Sequence, residues 1–145
     1  ANNVTNNRDE ALINYEVKLQ AKNYSKKLGN DIILRVMPFL DLMQTTSNED
    51  RKLPLEVYFS YQDTYNFSLE IPEGYKLAEV PKSVQLSSEF GNYSLQFSME
   101  NGKLVTQRKI TILKNIYPKE KFKEYIEFRK KTNNLDNTKI LLTKI

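Results

Sequence analysis

From Tyr93 to Glu100 apolar and polar side chains alternate one for one, Tyr93, Leu95, Phe97 and Met99 against Ser94, Gln96, Ser98 and Glu100. A period of two describes a strand with one buried face. Asn101-Gly102 follows, the dipeptide that best accepts the two positive φ angles of a type I′ turn, and a second extended run continues from Leu104 to Leu113. Residues 92–113 are therefore expected to form a long hairpin around which the rest of the chain is arranged. A two-residue loop sets Met99 opposite Leu104, Phe97 opposite Thr106, Leu95 opposite Arg108 and Tyr93 opposite Ile110. That register puts Arg108 on the apolar side, so a bulge near Thr106 to Arg108 is expected to return it to water.

Shorter alternations flank this hairpin. Ile13, Tyr15, Val17, Leu19 and Ala21 alternate with polar residues, and Gly29-Asn30 offers a turn into the β-branched run Ile32 to Val36, giving a first hairpin. Leu55 to Tyr61, a turn at Gln62-Asp63 and Tyr65 to Ile71 predict a second. Ile71-Pro72-Glu73-Gly74, with Pro and Gly at its second and fourth positions, and Pro81-Lys82-Ser83 punctuate the runs Tyr75 to Val80 and Val84 to Phe90. Pro38 has no N–H donor, so Met37-Pro38-Phe39-Leu40 is expected to plug one end of the core rather than continue a strand, and 45–52 to be a surface loop. Pro118 suits the first helical position, which predicts one helix over about 118–132 with Phe122, Tyr125, Ile126 and Arg129 facing inward and Phe128 off that stripe. Asn133-Asn134 can end it, and Ile140 and Leu142 mark a short final strand.

The expected fold is all-β, mainly an antiparallel β-sandwich, with one C-terminal helix and a short final strand. A polar, disordered end (1–10) precedes a single domain (11–145), and a chain of 145 residues is long enough for one core. Starting at Ala1 rather than Met, the chain is expected to be a mature product or an excised segment. No run is long and apolar enough for a transmembrane helix.

The chain contains neither Cys nor His, which excludes Cys-His and Ser-His-Asp catalysis and thiolate or imidazole zinc sites within it. No catalytic, cofactor-binding or metal-binding residue is assigned. The acid pairs Glu49 with Asp50 and Glu70 with Glu73 lie in or beside turns, where neighbours in sequence do not face each other across a cleft. Nine Tyr and seven Phe raise the possibility of a carbohydrate platform, with Tyr58, on the polar side of its strand, the candidate for stacking on a ligand. Alternating aromatics are also the ordinary content of a core, and the chain has no Trp. The net charge of +4 is uneven, since 114–145 carry nine Lys or Arg against four Asp or Glu. Lys119, Lys123, Lys130 and Lys131 make a candidate docking face for an acidic protein surface or an anionic envelope, with nucleic acid not expected as a partner. The interspersed Glu120, Glu124 and Glu127 equally suit a solvated helix face.

The order of the segments Arg51-Lys52-Leu53-Pro54, Asp63-Thr64-Tyr65, Ile71-Pro72-Glu73-Gly74-Tyr75-Lys76, Pro81-Lys82-Ser83-Val84, Glu89-Phe90-Gly91-Asn92-Tyr93-Ser94 and Tyr117-Pro118 resembles a known family. It is similar to the C-terminal β-rich domain of unknown function that follows the catalytic core in bacterial transglutaminase-like proteins, especially those of Bacteroidetes. Tyr125 to Arg129, Lys139 to Leu142 and the earlier stretch Asn23 to Asn30 fit the same pattern. The resemblance implies a noncatalytic, extracytoplasmic accessory domain (periplasmic or cell envelope) that packs against, or positions substrate for, a Cys-His-Asp core in the same polypeptide. No residue here matches that triad. The alternative is a β-sandwich module that binds carbohydrate or another cell-envelope ligand, and coplanar exposed aromatics on one sheet face would favour it.

Overall fold

The computed structural model describes residues 3–7, 12–16, 22–37 and 51–145, the first two segments as backbone strands alone. Its centre is the hairpin β9 (Gly91–Glu100) and β10 (Lys103–Ile112), paired without interruption from Lys103 opposite Glu100 to Ile112 opposite Gly91. Asn101 and Gly102 close it at φ values of 50° and 76°, the two left-handed residues of a type I′ turn. β6 (Tyr61–Glu70) pairs with the other side of β10, and β8 (Val84–Ser88) with the other side of β9, giving an antiparallel sheet in the order β6-β10-β9-β8.

One face of this sheet is buried in two halves. Toward the hairpin turn, Leu104, Phe67, Leu69 and Phe97 pack under a second antiparallel sheet through Leu34, Val36, Ile140 and Leu142. That sheet runs β3 (Lys26–Leu28), β4 (Asp31–Arg35), β12 (Lys139–Lys144), β7 (Tyr75–Leu77). Toward the other end, Tyr93, Leu95, Ile110 and Ile112 pack under α1 (Phe122–Asp136) through Tyr125, Ile126 and Phe128. A two-stranded ribbon, β5 (Leu55–Val57) with β11 (Asn115–Tyr117), flanks the helical half, and β1 (Asn3–Asn7) pairs with β2 (Leu12–Glu16). The fold is thus mostly antiparallel β with one C-terminal helix and a final strand, as the alternation implied.

Several elements differ from the sequence reading. The 92–113 hairpin keeps the expected partners, but it has no bulge, and Arg108 stays on the apolar face. Gln62-Asp63 is not a turn, because β6 runs straight through it to pair with β10, while β5 pairs with β11. Gly29, at φ 64°, does start a tight turn, but the strand before it is the short β3 and not the run from Ile13. The Pro72 turn begins one residue later than expected: the Tyr75 N–H bonds the Pro72 carbonyl at 3.1 Å, so Gly74, at φ 80°, holds the third position, where a type II turn requires left-handed backbone. Asn133-Asn134 does not stop the helix, which continues to Asp136, and Phe128 is buried rather than off the inner stripe. The polar segment before Glu10 carries strand β1 where a frayed end was expected. Of the expected core plug, Met37 is buried against Tyr93 and its neighbours, whereas Pro38 to Leu40, most of the 45–52 loop, the pair Glu49 and Asp50, and 17–21 lie outside the described residues.

Candidate functional site

The most elaborate constellation of side chains lies where the helix ends on the sheet. The pleat of β10 aims Arg108 inward between Thr106 and Ile110, and the last residue of α1, Asp136, comes down on it. The Arg108 Nε donates to Asp136 Oδ1 and one terminal nitrogen donates to Oδ2, both at 2.9 Å, a side-on pair with side chains only 6% and 2% exposed. The Tyr93 hydroxyl donates to Asp136 Oδ1 at 2.7 Å, and its ring lies 5.5 Å from the Arg108 guanidinium carbon. Burial works against the Arg108 charge, but the hydrogen bond and charge of Asp136 outweigh it and hold the guanidinium above its ordinary pKa. Tyr93 is pushed well above the ordinary phenol range, first by burial and then by the Asp136 carboxylate it bonds. Nearby, Arg129 donates to the Tyr61 hydroxyl at 2.9 Å and fixes the middle of the helix to β6.

Nothing in this cluster is free to react. Both carboxylate oxygens are occupied, the guanidinium is spent on them, and the phenol is held protonated. Among the described residues no group of three Asp or Glu side chains is placed to hold a metal ion. The cluster therefore orients the helix. Glu70 and Glu73 flank the end of β6 and the turn into β7, and Lys103 approaches Glu70 at 3.9 Å.

The four sequence-predicted lysines are all exposed, Lys119 in a short 3-10 turn (Lys119–Lys121) and Lys123, Lys130 and Lys131 on α1. At ~100° per residue Lys123 and Lys130 share one side of the helix, while Lys131 stands about a quarter turn away. There Lys131 lines a groove against β8 together with Glu124 and Glu127. The structure thus gathers Lys123 and Lys130 but gives Lys131 acidic neighbours. Lys121, between them, is engaged by Glu89 at 2.9 Å and Glu124 at 3.0 Å, which raise its pKa. Tyr58 is 74% exposed just past the end of β5 and lines a hollow of about 460 Å³ with Glu56, Lys114 and Ile116. The ring-to-ring contacts of the described residues gather instead around Phe90, edge-on to Tyr117 at 4.9 Å and Tyr125 at 5.4 Å, inside the core.

The family DUF3858, described as a domain of unknown function with a solved structure, matches residues 30–142. The chain belongs to this family. The DUF3858 region takes in the β6-β10-β9-β8 sheet, the ribbon, the helix with its Arg108–Asp136 anchor, and the second four-stranded sheet apart from β3 and the last residues of β12. A solved structure from Parabacteroides distasonis ATCC 8503, described as a "putative protease", shares the fold with a TM-score of 0.63 at 17% sequence identity. The match covers 77% of this chain and only 23% of that one, so the DUF3858 chain spans under a quarter of the longer protein. No curated protein matches.

Sequence reading passed over the anchor although its signal was present. A basic residue in an otherwise apolar register breaks a local rule, while the acid that answers it lies beyond the expected helix end at about 132 and only in the structure falls in the last turn, where the dipole disfavours it. The two departures explain each other once the helix lies on the sheet.

Proposed function

We propose that this DUF3858 domain is a noncatalytic accessory part of a transglutaminase-like protein that works outside the cytoplasm, packing against a catalytic core in the same polypeptide or positioning substrate for it. The observation that carries this reading is that a domain of the same fold makes up under a quarter of a longer chain described as a putative protease. Two features support it. The chain has no Cys or His from which to build the nucleophile and base of that chemistry, and the buried Arg108–Asp136 pair with Tyr93 is used in holding α1. The exposed lysines of α1 and of the turn before it supply a positive surface that speeds encounter with an acidic face without itself providing tight binding.

The test has two parts. The purified chain should neither hydrolyse nor crosslink peptides, with or without added divalent metal, and activity that copurifies with it through orthogonal steps would overturn the reading. Added in trans to the remainder of its own reading frame, it should associate, more strongly at low salt than at high. Changing Lys119, Lys123, Lys130 and Lys131 to Gln should remove most of that salt dependence, since screening at ordinary salt acts over ~8–10 Å. Association that is indifferent to both salt and the lysines would reduce the basic face to a solubility feature.

A further inference from the structure

The outer face of the β6-β10-β9-β8 sheet differs in composition from the rest of the molecule. Strand pairing arranges its outward side chains in rows, and only the row nearest the turn, Glu100, Lys103 and Glu70, is charged throughout. Of the 14 outward positions in the remaining rows, 12 are Ser, Thr, Asn or Gln, the exceptions being Val105 and Lys109. All four glutamines among the described residues, at 62, 85, 96 and 107, lie here, although 28% of the chain is charged. Gln96 pairs with Gln107 and Gln107 with Asn66, so one row is amide from β9 to β6. Among the described residues the side chains of Gln85, Gln96 and Gln107 make no hydrogen bond within the protein, whereas Ser87 is held by Asn92 at 2.8 Å and Ser98 by Glu100 at 2.7 Å. Two hollows open between these side chains, about 290 Å³ beside Gln85 and Ser94 and about 250 Å³ beside Gln96 and Gln107.

We propose that this face is a binding surface for a neutral, polyhydroxylated glycan. Each amide offers two donors and an acceptor, and each hydroxyl a donor and two lone pairs, repeated across strands ~4.8 Å apart, which is the chemistry that matches a row of sugar hydroxyls. The other classes of occupant lack their recognition groups here. A protein partner needs aromatic, Met or Arg anchors, and none points outward on this face. A nucleic acid or anionic glycan needs clustered positive charge, and a lipid surface needs an apolar patch. The shallow hollows, at or below the lower end of the roughly 300–1,000 Å³ usual for small-molecule pockets, suit single ring units of an extended chain lying along the sheet. With no outward ring to stack on, binding by each segment is weak and gains strength on a polymer through repetition. This surface stands independently of the accessory role proposed above.

Side-chain amide resonances make the test direct. In two-dimensional ¹H–¹⁵N spectra of the whole chain, titration with a neutral hexasaccharide of β-linked glucose or of mannose should shift the side-chain NH₂ signals of Gln85, Gln96, Gln107 and Asn66 saturably. A sulfated hexasaccharide should not. Gln96→Ala with Gln107→Ala, both exposed and without internal partners, should leave the remaining spectrum unchanged and weaken binding at least tenfold. Three results would each overturn the proposal: no saturable shift with either neutral sugar, shifts centred on Tyr58 and Ile116 instead, or shifts of this face with protein concentration alone, which would mark it as a contact between copies of the chain.

Discussion

Arg108 and Asp136 are a buried ion pair whose value to stability lies in their being together. Their desolvation is repaid by two charge-assisted hydrogen bonds and the Tyr93 hydroxyl, so removing one partner leaves a charge with no counterpart in an apolar setting. Arg108→Met alone and Asp136→Leu alone are each expected to cost ~3–5 kcal/mol, while the double variant should recover much of that loss because two apolar side chains can replace the pair. Denaturant unfolding of the four proteins checks this, and additive losses would refute the pairing. Tyr93 adds a pH dependence whose sign follows from its raised pKa. Its contribution is complete below the unfolded-state value of ~10 and is lost as pH rises above it toward the folded value, because only the unfolded chain ionises there. Tyr93→Phe should therefore lower stability at pH 8 by ~1.5–3 kcal/mol for the lost bond to a carboxylate. It should also fall less steeply between pH 10 and 11.5 than the parent, by up to about 1.4 kcal/mol per pH unit. Some slope remains in the variant, since burial raises Tyr125 and Tyr24 as well. Equal alkaline slopes in the two proteins would sink the assignment.

At the scale of elements, the long hairpin was legible and its surroundings only partly so. Alternation and Asn101-Gly102 specify two strands and their register locally, and the observed pairing follows them residue for residue. The inserted bulge and the supposed turn at Gln62-Asp63 came from reading polar residues as signs of water, when Arg108 had a partner 28 residues away and β6 had a partner strand in β10. Two glycines of the hairpin separate local from tertiary constraint. Gly102 needs positive φ, but a Cβ there would meet open space. Gly91, at φ 147°, lies so close to β10 that a Cβ would stand 1.9 Å from the Thr111 carbonyl oxygen. Gly102→Ala should thus cost on the order of 1 kcal/mol for left-handed backbone, whereas Gly91→Ala must push two paired strands apart and should cost at least ~3 kcal/mol or prevent folding. Thermal melts of both variants decide it, and similar melting temperatures would show that the β9 start is less closely packed than described.

For the molecule as a whole, the end of the chain completes the centre of a sheet. Sequence marked Ile140 and Leu142 as a short last strand, which suggests an addition to a finished sandwich, because alternation reveals a buried face and nothing about which strands lie on either side. In the structure β12 sits between β4 and β7, pairing with Ile32 to Arg35 across more than 100 residues, and its Ile140 and Leu142 are 3% and 2% exposed. Both ladders are extended by further bonds, Val36 N–H to the Thr138 carbonyl at 3.0 Å, Ala78 N–H to that of Leu141 at 2.9 Å and Ile145 N–H to that of Gly74 at 2.9 Å. Without β12, strands β4 and β7 have no common partner, and Leu104, fully buried beneath them, loses its cover. The helix would suffer too, since Asp136 anchors it only a few residues before β12 begins. A chain ending at Asn137 is therefore expected to lose cooperative unfolding and expose apolar surface to a reporter dye. Leu142→Ala, which keeps the backbone ladder and removes only buried methyl groups, should remain cooperative with a loss of ~2–5 kcal/mol. If the truncated chain melted cooperatively near the parent temperature, the final strand would be an appendage and the two halves of the core would be independent of it.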